Sequence, residues 1–221
     1  IADFFVEWIP RYGPRLAYGT LVTLQLALLS MALALPLGLL LAVGRMSKSW
    51  LANLFVAVYV EIWRGVPLIV QLLIIYFTLP QIGISIPAFA AAVLGLALNL
   101  AAYLSEVFRA AIQSVDPGQY EAGESIGMSH IQVYWRIVLP QAFLVALPTI
   151  GGYFISLIKD CALVSFISVN ELLRIGTMII AETFQSMRVY LVLGVIYFAL
   201  SFVAARIVRL LEIKLMPRFM R

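Results

Sequence analysis

The chain is poor in charge, cysteine and histidine. Of its 221 residues, Asp, Glu, Lys and Arg make up 12%, against roughly 25% in a soluble domain. So few charges cannot clothe a water-facing surface, which excludes a soluble enzyme, a disordered tail and a nucleic-acid module. Cys161 is the one cysteine, so neither an internal disulfide nor a zinc cluster can be built on it. His130 is the one histidine and has no acidic partner on a span, which makes a proton relay a poor reading. An intramembrane enzyme would need a Ser/His, Asp/Asp or metal constellation, and the composition does not supply one. The phosphate-cradling pattern G-x-x-x-x-G-K-[ST] is also missing, so any ATP dependence has to come from a partner.

What the chain has is long uncharged runs, with 63% of its residues hydrophobic. Residues 16–44 carry no charge and would make about 43 Å of helix, more than the ~30 Å hydrocarbon core of a bilayer. That run is also too long for a signal peptide. Residues 65–105 are likewise uncharged but are interrupted by Leu79-Pro80-Gln81-Ile82-Gly83 and by Pro87. The expected fold is an all-α polytopic membrane protein with five transmembrane helices, near 16–44, 53–79, 87–105, 137–159 and 188–210. Residues 1–221 read as a single transmembrane domain with no internal repeat. Of the fifteen Lys and Arg, ten fall on one side and five on the other, with Arg64 counted on the richer side. The positive-inside rule then places the N-terminus outside and the C-terminus inside. The basic run Arg206, Arg209, Lys214, Arg218 and Arg221 suits anionic headgroups on that inner side. The chain begins at Ile1 rather than methionine, from which a few preceding residues are expected.

Residues 106–136 form the one sizeable inner loop. Asp116 can cap a short helix with Pro117 at its first position and Gln119 as reciprocal partner, and Gly127 can end it in the left-handed conformation. Ser129 and Gln132 form a second capping box leading into 131–138. A short capped helix on an inner surface suits docking into a partner's groove; a plain connecting loop is the alternative.

Within the spans, Gly95, Asn99, Ala102 and Glu106 fall on one helical stripe, as do Thr149, Gly152, Ser156 and Asp160, with Tyr153 beside the second. Such stripes either line a water-filled path or serve close helix packing. Asn99, Tyr153, Ser156 and Asp160 are the candidate path residues, with Asp160 suited to an ammonium group. Counted from Pro140, Asp160 lies about 30 Å along its helix, near the outer edge. Glu61 and Arg64 are spaced to pair, and Gly65 with Pro67 marks either a hinge or a boundary. Cys161–Asn170 is too short to span and is expected to re-enter or cap the outer mouth. Residues 171–187 read as an amphipathic outer helix with Ile175, Met178 and Ile179 inward and Arg174 and Glu182 outward.

The run Glu121-Ala122-Gly123-Glu124-Ser125-Ile126-Gly127, followed after nine residues by Ile137-Val138-Leu139-Pro140, resembles the EAA loop of ABC importer permeases. Gly123 stands where that pattern has its second alanine. Tyr18–Leu24, Trp63–Leu68, Asp116–Gln119 and Leu157–Asp160 resemble the polar amino acid subgroup of the same family, so the likeness runs in order along nearly the whole chain. The resemblance implies a type I importer permease core in a bacterial inner membrane, not itself an enzyme. It implies a second permease subunit, identical or similar, and cytoplasmic ATPase subunits that bind ATP and magnesium. An extracytoplasmic binding protein would deliver the amino acid. It assigns ATPase coupling to Asp116, Pro117, Gly118, Glu121, Ala122, Gly123 and Gly127. No metal site, and no cofactor in this chain, is implied. An ATP-independent secondary transporter or channel is the alternative function.

Overall fold

The computed structural model describes residues 7–215, and Arg218 and Arg221 of the basic run lie outside the described residues. All regular structure among the described residues is helical. Helix α1 (Ile9–Arg45) is the longest, followed by α2 (Trp50–Gly65), a short α3 (Leu68–Leu73) that continues through tighter and wider turns to Ile82, and α4 (Ala88–Gln113). The loop helices are α5 (Pro117–Ser125) and α6 (His130–Val133), and α7 (Leu139–Asp160), α8 (Leu172–Thr183) and α9 (Ser186–Leu215) complete the chain. Four helices are long and apolar enough to cross a bilayer, or five if the α2–α3 pair counts as one broken span.

The bundle is built on α1 lying parallel to α4. A stripe of small residues on α1, including Ala27, Ser30, Ala34 and Gly38, is buried. Small side chains let spanning helices approach closely, where lipid offers no hydrophobic driving force. At Gly38 the approach is tight enough that a Cβ would stand 2.8 Å from Leu104 Cβ. Ser30 Oγ donates to the Val93 carbonyl at 3.3 Å, which satisfies it inside the bundle.

Arg45 and the loop helices share one end of the bundle, since Val43 and Met46 line a hollow with His130 and Trp135. Helix α8 lies at the opposite end, against the first half of α1, where a Cβ on Gly19 would meet Leu172 Cα at 2.9 Å. Arg15 on α1 donates two bonds to Glu182 on α8, at 2.7 and 2.8 Å. These bonds hold the Glu182 carboxyl below the usual carboxylate range.

Three expectations are corrected here. Residues 53–79 are not one rod, because α2 and the α3 segment meet at 105°. Within α8, Ile175 and Ile179 are buried but Met178 is 40% exposed. Arg174 turns inward, and its Nη1 donates to the Ser165 carbonyl at 3.4 Å. Cys161–Ile167 does not re-enter as a separate element: it extends α7 as a 3-10 turn and packs on α3, ending at Ser168 with φ of 66°.

Two wide turns share one cause. Leu79 N–H bonds the Ile74 carbonyl and Leu139 N–H bonds the Tyr134 carbonyl, each five residues back. The next residue in each case is a proline, Pro80 or Pro140, which lacks an N–H and crowds the preceding turn. The second wide turn joins α6 to α7, so His130–Ile167 forms one continuous rod of 38 residues.

Candidate functional site

The site starts from the broken helix. In a continuous helix the Trp63 carbonyl would accept from residue 67, but Pro67 has no N–H to give. Val66, which precedes that proline, is pushed to an extended conformation with φ of -100° and ψ of 135°. Two amides mend the break. Gln71 Nε2 donates to the carbonyls of Trp63 and Val66, both at 2.8 Å. Asn99 Nδ2 donates to Trp63 at 2.9 Å and to Gln71 Oε1 at 3.0 Å. Asn99 sits near the middle of α4, about 17 Å from the start of that helix by rise, so the bend is held at mid-height.

This bend corrects the placement of Arg64. It belongs to the level of Asn99, not to an inner boundary. Its guanidinium lies 5.2 Å from the centre of the Tyr103 ring. Among the described residues no ion pair joins Glu61 and Arg64; the geometry favours the aromatic face instead.

The bend and α7 enclose a cavity of about 440 Å³, open on one side. Arg64, Asn99, Tyr153, Ser156 and Asp160 all line it. The four candidate path residues are therefore brought together, with one cation added. Asp160 shares the cavity with Leu96, which lies about 12 Å along α4 from its start. Asp160 is thus deeper than the outer edge expected for it. Counting from Pro140 misleads because the rod begins ten residues earlier, at His130, and Val145 shares a hollow with Ser114 at the end of α4.

The two small-residue stripes part company. On α4, Ala102 is buried and a Cβ on Gly95 would lie 2.6 Å from Leu72 Cδ2, so these two serve packing, while Asn99 and Glu106 of the same stripe line hollows. Glu106 pairs with Arg109 at 2.6 Å. On α7, a Cβ on Gly152 would meet open space, while Thr149, Ser156 and Asp160 line hollows. That stripe is open.

The loop folds as its caps require. Asp116 Oδ1 accepts from Gly118 N–H at 2.7 Å, with Pro117 as the first residue of α5. Gly127 has φ of 82°. Ser129 and Gln132 bond reciprocally, at 2.9 and 3.4 Å. Gln119 does not serve as partner to Asp116; its Oε1 accepts from Gln141 Nε2 at 3.4 Å. Glu121 and Ala122 are exposed, while Gly123 is buried against the rod. A Cβ there would stand 2.8 Å from Val133 Cγ2 and 3.1 Å from Ile137 Cδ1, so glycine is what lets α5 seat. His130 Nδ1 and Glu124 Oε1 approach to 3.1 Å across the same junction.

Sequence reasoning missed Arg64 as a cavity residue and Glu171 altogether. Glu171 is fully buried and caps α8, accepting from the N–H groups of Leu173 and Arg174 at 2.9 and 2.7 Å. Tyr197 of α9 donates to it at 2.8 Å, and Thr23 of α1 reaches it at 3.5 Å. Burial pushes its carboxyl above the usual range. The sequence signal was an acid one residue ahead of an amphipathic helix, which is an N-cap pattern.

Comparison with known proteins places this architecture. Residues 34–216 match the family of binding-protein-dependent transport system inner membrane components. The L-cystine transport system permease protein TcyB of Bacillus subtilis is 40% identical over 205 residues, covering 92% of this chain and 88% of that protein. The putative glutamine transport system permease protein GlnP of Rickettsia typhi is 35% identical, covering 95% and 98%. In the crystal structure of an amino acid ABC transporter with histidines, a chain 38% identical superposes with a TM-score of 0.86, covering 93% of this chain and 96% of that one. The MetNI methionine ABC transporter, inward facing, shares the fold at a TM-score of 0.70. The broken second helix, the capped loop seated on the α6–α7 rod and these matches together make the chain a member of the binding-protein-dependent transport system inner membrane component family, an ABC importer permease with the type I fold.

Proposed function

We propose that this permease translocates amino acids delivered by an extracytoplasmic binding protein, driven by ATP hydrolysis in partner subunits that bind ATP and magnesium. The chain works as one of two permease subunits in a bacterial inner membrane, with the α5 end in the cytoplasm. With Arg64 and Lys159 both taken out of the count as span residues, nine Lys and Arg lie toward the α5 end against four, which keeps that end on the inner side.

The observation that carries this reading is the single rod His130–Ile167. Near one end it holds Val133 and Ile137, against which α5 is seated. Near the other it carries Asp160 into the cavity. Residues Asp116, Pro117, Gly118 and Gly127 shape α5, Glu121 and Ala122 present its exposed face to an ATPase, and Gly123 transmits its movement to the rod. ATP shifts the pair of permeases toward the outward shape only by binding that state more tightly.

A free amino acid carries an ammonium and a carboxylate. Asp160 receives the first and Arg64 the second, where a planar guanidinium can engage a carboxylate with two parallel bonds. Both protons of the Asn99 amide are committed to the bend, so it offers its Oδ1 to the ammonium. Ser156 and Tyr153 add hydroxyls. About 440 Å³ lies within the range of small-molecule sites.

The test is ATPase stimulation of the purified complex in nanodiscs, across a panel of amino acids with the matching binding protein. Stimulation by a subset is expected, with loss of ATPase association when 116–128 is deleted. Uptake driven by an ion gradient with no ATPase bound would favour a secondary transporter instead.

A further inference from the structure

The cavity between the bend and α7 has a neighbour toward the α5 end. A second hollow of about 390 Å³ lies on that side, between the last turns of α4 and the first half of α7, lined by Glu106, Ala110, Ser114, Val145 and Thr149. Arg64, Tyr103 and Tyr153 line both hollows. The Tyr103 and Tyr153 rings are 5.7 Å apart and tilted by 40°, and the Arg64 guanidinium sits 5.2 Å from the Tyr103 centroid. Three side chains, one from each of α2, α4 and α7, therefore make a wall common to both hollows.

We propose that Arg64, Tyr103 and Tyr153 form the inner gate of the translocation path. The wall is suited to opening for two reasons. Its members are joined only by ring and guanidinium contacts, which give way by rotamer changes without breaking a helix. Arg64 is also the penultimate residue of α2, next to the Gly65–Pro67 break, so a change in the angle between α2 and α3 carries it away from Tyr103.

The proposal rests on the first cavity being the substrate site, but its test needs no substrate and so fails independently of that reading. Cys161 is the only cysteine and is buried, so Cys161→Ser gives a clean background. Ser156→Cys then reports on the first cavity and Ser114→Cys on the second. Both are exposed to a membrane-impermeant cationic methanethiosulfonate reagent in vesicles of the assembled transporter held in its ATP-bound state, with the α5 end facing the medium. A gate closed about 90% of the time slows labelling of Ser156→Cys by about tenfold relative to Ser114→Cys. Adding Tyr103→Ala or Arg64→Ala should abolish that difference, and Tyr103→Phe should preserve it. Unchanged Ser114→Cys labelling in each variant certifies that the fold is intact. Equal labelling of the two positions with Tyr103 and Arg64 in place would overturn the proposal, as would a difference that neither alanine variant removes.

Discussion

Gln71 holds the bend that creates the cavity, and its replacement by leucine tests that role. The side chain has similar volume, so packing on α4 is little changed, but three hydrogen bonds vanish. The Trp63 carbonyl keeps Asn99 as a partner. The Val66 carbonyl and one proton of the Asn99 amide lose theirs. An unsatisfied buried polar group costs about 1–3 kcal/mol, which bounds the loss at about 2–6 kcal/mol. The low end applies, about 2 kcal/mol, because Val66 lines the open cavity and water can reach it. Reversible unfolding in mixed micelles, titrated with a denaturing detergent, reads this directly. The same bonds predict coupling: Asn99→Leu on top of Gln71→Leu should cost less or more than the sum of the two by about 0.5–3 kcal/mol, since both serve one carbonyl. A Gln71→Leu protein as stable as the parent, or strictly additive losses, would refute the claim that these amides replace the proton Pro67 lacks.

Other consequences follow from separate contacts. Gly123→Ala gains helix propensity of up to about 1 kcal/mol but overpacks stiff, fully buried Val133 by about 1–3 kcal/mol. It should therefore lower stability and weaken ATPase coupling although alanine matches the family pattern; equal melting and coupling would show that α5 is not seated as described. Glu171→Ala should cost about 2–4 kcal/mol by stripping the α8 cap and the Tyr197 bond, with Glu171→Gln milder, as measured by thermal melting of the purified protein. Because burial raises the Glu171 carboxyl, its contribution is fully present below the ordinary value of 4.5 and is lost as pH rises through the raised folded value. Melting across that pH range should show a decline in the parent that Glu171→Gln lacks. Glu182 has the opposite sign: held low by Arg15, its contribution is present above the ordinary range and is lost as pH falls through the lowered folded value. Arg15→Gln should flatten that limb of the melting curve.

Local chemistry was legible in the sequence. The caps at Asp116 and Ser129 and the left-handed Gly127 need only a few neighbouring residues, and they stand where the spacing put them. The apolar runs likewise gave the long helices. What could not be read depends on partners far along the chain. Gly65 and Pro67 mark a weak point, but the 105° angle comes from amides at 71 and 99 that satisfy the broken turn. The depth of Asp160 depends on where α4 ends relative to the α6–α7 rod, which no count along one helix reveals. Glu171 looks like an ordinary helix cap until Thr23 and Tyr197 close over it. The two small-residue stripes are alike in spacing, and only contacts far along the chain pack Gly95 against Leu72 while Gly152 faces open space.

Substrate recognition, as proposed, rests on opposite charges in one cavity receiving the two charged ends of an amino acid. The direct measurement is uptake of labelled amino acid into proteoliposomes by the whole transporter carrying Asp160→Asn, with ATPase association checked on the same preparation. Uptake should fall to background while the complex stays assembled. Uptake at the parent's rate would remove Asp160 from the site and with it the reading of this cavity.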